Sequence, residues 1–293
     1  MILNKLKKIF SHSLKLPVFL NTWNNRVIAR KGMVFNRDLM EKAARMGKKF
    51  PMNKTPMENT FFIQDFQKLL QKDMKKYGFI SENLKFLDDL TEYVAQVQIP
   101  EQIVSELEWI KKRFTYNYHH IVAVTALSTR IARDFFLEEE DILKTAEAAI
   151  LYDIGVGHIP LNIIQKLGRL NEDERNIIHY HPVYSALLIA HYYQDPDCPL
   201  LDPILNHHEN MDGSGYPRGV KNKNILSHII KLSDTFDALI SARPFRKYYT
   251  TRDAFKICED LIKEEKITPE ILPIIYSYYF FIDQYPHEKG VRK

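Results

Sequence analysis

From Tyr116 onward, apolar positions recur at helical spacing almost without a break. His120, Val124, Leu127 and Ile131 fall at i, i+4, i+7 and i+11, so one imidazole shares a core-facing stripe. Ile142, Ala146, Ile150 and Asp153 repeat the pattern on a helix predicted over 139–154. Leu226, Ile230, Asp234 and Ala238 repeat it again, with Asp237 beside them. Pro182, next to His181, fits the first turn of a further helix through Tyr193. A carboxylate in an apolar stripe costs about 2–7 kcal/mol unless something neutralises it. Three separate helices thus aim one histidine and two acids at the interior.

Ahead of this region the pattern is shorter and more broken. Leu3, Leu6 and Phe10 alternate with Lys5, Lys7 and Lys8, which predicts a short basic amphipathic helix within 1–16. Such a helix suits peripheral contact with an anionic membrane, or docking on a partner or on its own protein. Residues 17–35 hold β-leaning runs broken by Asn-Asn and Lys-Gly, which predicts a hairpin. Asn36 caps a predicted helix from Arg37 to Met46, ended by Gly47. Residues 48–60 read as loop, and 61–112 as two or three helices broken at Pro100. No chemistry-bearing cluster stands out here. The expected organisation is a small basic α+β regulatory or docking domain over 1–95, followed by a helical domain over 96–293. The fold class is mainly α.

Composition sharpens this division. Residues 1–57 carry +11 and the remainder −7, whereas nine of the 11 histidines lie between His119 and His228. The 293 residues suffice for one large domain, or for one domain and a small companion. Two cysteines make no disulfide framework, so a reducing, cytoplasmic setting is expected. No apolar run reaches the length of a membrane span, and no signal-peptide pattern is present. Charge alone would permit nucleic acid, but no recognised module supports it, and none is expected as a partner.

The densest chemistry lies in HHENMDGSGYPRG at 207–219. Adjacent histidines point about 100° apart on a helix and converge only where a helix ends and the chain turns. Gly213 and Gly215 supply that turn, and Pro217 forbids an immediate continuation. With His120, Asp153, His181 and Asp234, the pair His207 and His208 makes an inventory for a metal centre. Buried His–Asp pairs and salt bridges are the alternative account of the same residues.

These strings, together with LYDIGVGHIPLNIIQKLGRLNEDE at 151–174, LSDTFDAL at 232–239 and Arg243-Pro-Phe-Arg246, resemble the HD-GYP branch of the HD-domain metal-dependent phosphohydrolases. The resemblance covers about His120 to Arg246 in order and spacing, and leaves the N-terminal region out. It implies a helical HD-domain bundle holding two divalent ions, commonly iron or manganese, and hydrolysis of cyclic di-GMP. The implied metal ligands are His120, Asp153, His181, His207, His208 and Asp234, with Asp153 bridging. Arg243 and Arg246 match phosphate-contacting positions, for which surface salt bridging is the alternative, and Tyr216 would line the substrate groove. Implied partners are cyclic di-GMP and a diguanylate cyclase or other signalling protein.

Two positions depart from the family pattern. Tyr152 stands where the family has the histidine of its HD pair, and Val156 where it has a lysine. Tyr116 stands at an optional acidic ligand, so a third ion is not expected. A neutral phenol is a poor ligand for most divalent ions, and loss of the first site would leave one ion. Two readings follow: an active phosphodiesterase with an altered first site, or a degenerate module that binds the nucleotide or a protein without turnover.

Overall fold

The structure, a computed structural model, describes residues 14–72, 77, 84–136, 138–241 and 248–284. Four short strands open it: β1 (Leu14–Lys15), β2 (Leu20–Asn21), β3 (Val27–Ala29) and β4 (Val34–Phe35). They pair antiparallel as β1 with β4 and β2 with β3, in register Leu14 with Phe35 and Leu20 with Ala29. The predicted hairpin is therefore present, but Leu14–Lys15 is strand, and the rest of the predicted amphipathic helix, residues 1–13, lies outside the described residues. Helix α1 (Arg37–Gly47) begins where expected, with Asn36 accepting the Leu39 N–H at 2.9 Å.

Residues 48–60 are more ordered than their composition suggests. β5 (Lys54–Pro56) pairs antiparallel with β6 (Gln98–Pro100), a partner more than 40 residues away that no local pattern announces. Helices α2 (Phe61–Lys72) and α3 (Leu84–Gln96) lie between them. α4 (Glu101–Arg113) and α5 (Thr115–Phe135) follow, then α6 (Glu139–Leu151), a 3-10 turn (Ile154–His158), α7 (Leu161–Ile164) and α8 (Glu172–Ile178). α9 (His181–Tyr192), α10 (Leu201–Asn206), α11 (Ile225–Ile240), α12 (Thr251–Lys263) and α13 (Leu272–Gln284) complete a mainly helical fold. Among the described residues no helix is long and apolar enough to cross a membrane.

The bundle forms around α9. Its sequence HPVYSALLIAHY is apolar nearly all round, and every residue in it is buried, as expected for a helix with no solvent face. It packs against α1 on one side and against α10 and the 3-10 turn on the other. Gly47 makes the first contact possible: a Cβ there would sit 1.8 Å from the His191 carbonyl oxygen. One continuous buried cluster therefore runs from Leu16, Phe35 and Met40 through Leu188 to Ile271.

Glu106, fully buried on α4, fastens three remote parts of the chain. It accepts the Trp23 backbone N–H at 2.7 Å, the Tyr192 hydroxyl, and His158 Nε2 at 3.2 Å. Burial of a carboxylate is tolerable here because each oxygen has donors. Glu106→Ala would strand those donors and should lower stability by about 3 kcal/mol, read as a lower urea midpoint; an unchanged midpoint would contradict this role.

Candidate metal centre

α6 ends at Leu151, short of the predicted 154. Asp153 stands beyond it at φ −116° and ψ 12°, at the head of the 3-10 turn, and so points inward from a bend and not from a helix face. Gly155 in this turn lies so near α9 that a Cβ would meet the His181 carbonyl oxygen at 2.3 Å, and its N–H donates to Ser185 Oγ at 2.9 Å. The seat of Asp153 is thereby fixed against the start of α9, where His181 is the first residue.

His207 caps the end of α10 and His208 opens the turn that follows. Three devices hold that turn. Lys231 on α11 donates to the His208 and Glu209 carbonyls, both at 3.2 Å, and to the Asn210 side chain. Glu209, fully buried, accepts the backbone N–H groups of Arg218 at 2.7 Å and Val220 at 3.1 Å, so this acid shapes the loop. Gly215 passes so close that a Cβ would meet the Glu209 Cα and the His208 oxygen at 2.4 Å. Gly213, at φ +87°, sits in the left-handed region that glycine tolerates.

The six donor-bearing side chains form one connected group. Asp153 Oδ1 lies 3.4 Å from His181 Nε2, which lies 3.1 Å from His207 Nε2. The His207 and His208 rings are 4.1 Å apart, His208 Nδ1 is 3.9 Å from Asp234 Oδ2, and Asp234 Oδ1 is 2.7 Å from His120 Nε2. Among the described residues, donor atoms of His181, His207 and His208 lie within 4.8 Å of one another.

Protonation tests whether this donor set suits a cation. His181 Nδ1 faces the Ile178 carbonyl at 2.9 Å, and His207 Nδ1 faces the Ile204 carbonyl at 2.6 Å. A carbonyl only accepts, so each Nδ1 carries the proton and, in the neutral ring, each Nε2 is a bare lone pair. Burial, joined at His181 by the neighbouring His207, holds His181 down at about 3, and burial holds His207 down at about 4. His208 is pushed well below its ordinary value by burial and by its two imidazole neighbours. Two bare nitrogens 3.1 Å apart cannot hydrogen-bond each other, whereas both can ligate one ion. A carbonyl-anchored Nδ1–H is also the usual outer-shell arrangement of a metal-bound imidazole. The donor set fits a divalent cation.

His120 differs. Its two ring nitrogens face carboxylates, Asp234 Oδ1 at 2.7 Å and Asp237 Oδ2 at 2.5 Å. Burial pulls its pKa down, but the hydrogen bonds it donates to both acids carry it well above the usual value. Asp237 in turn accepts the Ser241 hydroxyl at 2.8 Å and the Tyr77 hydroxyl. Asp237 is therefore the orienting partner of His120, and Tyr77 reaches this layer from the N-terminal region. The D-x-x-D spacing of Asp234 and Asp237 was a legible signal for the first; nothing in the sequence marked Tyr77.

The departing positions are buried in place. Tyr152 is 0% exposed, and its hydroxyl has no hydrogen-bond partner among the described residues. Its ring meets His207 edge-on at 5.0 Å, and burial, then Asp153, keeps the phenol neutral. Tyr116 stacks on His120 at 6.2 Å. Val156 is buried in the 3-10 turn. Tyr216 lies between two imidazoles, stacked on His179 at 3.9 Å and on His208 at 4.4 Å. His179 is thus a wall of the site that sequence reasoning passed over. Arg243 and Arg246 lie outside the described residues.

With this geometry in view, the comparisons give the class. Residues 98–271 match the HD domain family. A cyclic di-GMP phosphodiesterase of Pseudomonas aeruginosa is 32% identical over 149 residues, 50% of this chain and 36% of its own. A cyclic di-GMP phosphodiesterase of Thermotoga maritima is 30% identical over 209 residues, 69% of this chain and 54% of its own. A 3′3′-cGAMP-specific phosphodiesterase of Vibrio cholerae is 33% identical over 147 residues, 50% of this chain and 32% of its own. The chain belongs to the HD domain family, in its HD-GYP branch. It spans between about a third and a half of the length of these relatives.

Two outcomes are expected. Asp237→Asn and Tyr77→Phe should each weaken manganese binding, about 10-fold or more for the former, in calorimetric titration; unaltered affinity in both would remove Asp237 from the orienting role. For the metal-free chain, His181, His207 and His208 bind protons more readily unfolded than folded. Their contribution is present above the ordinary value of about 6.5 and is lost as pH falls towards the folded values. His120, with its raised value, acts oppositely: its contribution is full below about 6.5 and fades as pH rises through the folded value. Three imidazoles outweigh one, so urea midpoints should fall between pH 7 and 5.5, at about 1 kcal/mol for each of the three.

Proposed function

We propose that the chain is a metal-dependent phosphodiesterase of cyclic dinucleotides, with cyclic di-GMP as substrate. The observation that carries this reading is the confrontation of bare His181 and His207 nitrogens, at 3.1 Å, within a group completed by His120, Asp153, His208 and Asp234. The relatives support the substrate class: those named above are phosphodiesterases of cyclic di-GMP or 3′3′-cGAMP. In this reading His120, Asp153, His181, His207, His208 and Asp234 would hold two divalent ions, iron or manganese. Ions held there supply charge neutralisation at the phosphate and a coordinated water acidified to near neutrality.

The remaining work falls to the chain's own groups. His120 gives up its Nε2 proton on metal binding, and Asp237 keeps the Nδ1 proton in place. Tyr216, whose phenol burial holds neutral, presents an O–H donor beside the imidazoles and walls the groove with His179. Arg243 and Arg246 supply paired donors to the phosphodiester. The division at about residue 95 belongs to this reading too. Residues 1–95 are a basic docking or regulatory part, which meets a signalling protein or a membrane surface through residues 1–16. The protein works in the cytoplasm.

A second reading has its own support. Tyr152 fills the family histidine's place with a neutral, fully buried phenol, and Val156 replaces a lysine. A chain so altered would load one ion and serve as a binding module for the nucleotide or a protein.

A single experiment separates these. Purified chain with iron or manganese should linearise cyclic di-GMP, and Asp153→Ala should reduce the rate at least 100-fold, in line with loss of a metal-ion mechanism. Nucleotide binding without turnover, with one ion per chain by elemental analysis, would select the binding module. In that case Tyr152→His with Val156→Lys should restore a second ion and turnover.

A further inference from the structure

A cavity of about 230 Å³ lies at the seam between the β2–β3 turn, the end of α1, the start of α4 and the end of α9, remote in the chain from the metal ligands. Trp23, Arg26, Phe50, Gln102, His191 and Gln194 are among its lining residues. Trp23 is 38% exposed, an aromatic surface left open beside a cavity. Phe50 has the Arg26 guanidinium over its ring at 3.7 Å. Among the described residues the guanidinium has no ion pair with a carboxylate, and its charge acts on His191 and Tyr192, which also line the cavity. Glu106, nearby, is already engaged by Trp23, Tyr192 and His158.

The polar atoms around the cavity are mostly acceptors. Gln102 gives its amide N–H to the Pro51 carbonyl at 2.7 Å, and its Oε1 is buried with no partner among the described residues. Gln194 gives its amide N–H to the Phe50 carbonyl at 2.9 Å, which leaves its carbonyl as an acceptor. His191 faces the Ala43 carbonyl through Nδ1 at 3.1 Å, so its Nε2 is an acceptor as well. Asn24, also lining the cavity, takes the Thr22 hydroxyl on Oδ1 and keeps its amide N–H groups as donors. A ligand suited to this set is flat and aromatic, offers several N–H donors, and carries one anionic group for Arg26.

We propose that this cavity binds a nucleoside monophosphate, its amino-bearing base beside Trp23, the Gln194 carbonyl and His191 Nε2, and its phosphate on Arg26. The site is separate from the metal centre and does not depend on the activity assigned there. The guanidinium, which has no ion pair among the described residues, is accounted for by such a ligand. Concave, mostly apolar surface with a few placed polar groups is the ordinary form of a small-molecule site.

The full-length chain, titrated with GMP and followed by tryptophan fluorescence and calorimetry, tests this. Saturable binding is expected, with quenching that disappears in Trp23→Phe. Arg26→Gln should weaken GMP at least tenfold, while guanosine, which lacks the phosphate, should bind the two proteins alike. His207→Ala combined with His208→Ala should leave GMP affinity within twofold. The proposal is overturned by absence of saturable binding, by equal GMP affinity in Arg26→Gln, or by quenching that persists in Trp23→Phe. Inorganic phosphate binding as tightly as GMP would also overturn it, as would loss of binding in the His207/His208 variant, which would place GMP at the metal centre.

Discussion

Two lone pairs set the terms for the centre of this molecule. His181 and His207 each commit one ring nitrogen to a backbone carbonyl, and each is kept neutral by burial. The opposing nitrogens then face each other at 3.1 Å with no proton between them. Such an arrangement is repulsive by itself and becomes favourable only around a shared positive charge. The packing that enforces it is extensive: α9 is buried on every side, and the end of α10 is held by Lys231 and the folded-back glycine turn. The bundle has put its rigidity into holding two imidazoles in a position they would not choose.

The two ends of the group are electrostatically unlike. At one end three neutral imidazoles stand ready with bare nitrogens. At the other, His120 sits charged between the side chains of Asp234 and Asp237, one imidazolium shared by two acids. A metal there must displace a proton, whereas a metal among the neutral rings displaces none. Tyr152 lies against both, with its ring centroid 5.0 Å from that of His207 and 6.5 Å from that of His120. The departure from the family pattern therefore falls at the border between the two ends.

Much of this was legible because it was periodic. His120 and Asp234 fell on apolar stripes of helices that the structure contains, and Asn36 capped its helix as its side-chain chemistry requires. Asp153 reached the interior by another route: its helix stops at Leu151, and a 3-10 turn positions the carboxylate. The pairing of β5 with β6 was invisible, since two three-residue strands so far apart leave no local pattern. Tyr77, Ser241 and His179 were missed for the same reason: each matters through a partner brought near by tertiary packing. Glu209 lies inside the densest motif but was given no role of its own, and its carboxylate is tied to backbone N–H groups that shape the loop.

The boundary of the family match falls at residue 98, but the interior does not divide there. Gly47 yields the space that α9 fills, Asp197 beyond α9 pairs with Arg37 at the start of α1, and Gln194 reaches back to Phe50. A segment excised at that boundary would bare one whole flank of its central helix. Homologous recombination of the front portion between relatives would therefore succeed only where the incoming piece brought its own small residue opposite position 191. Front and back of this chain are bound to change together.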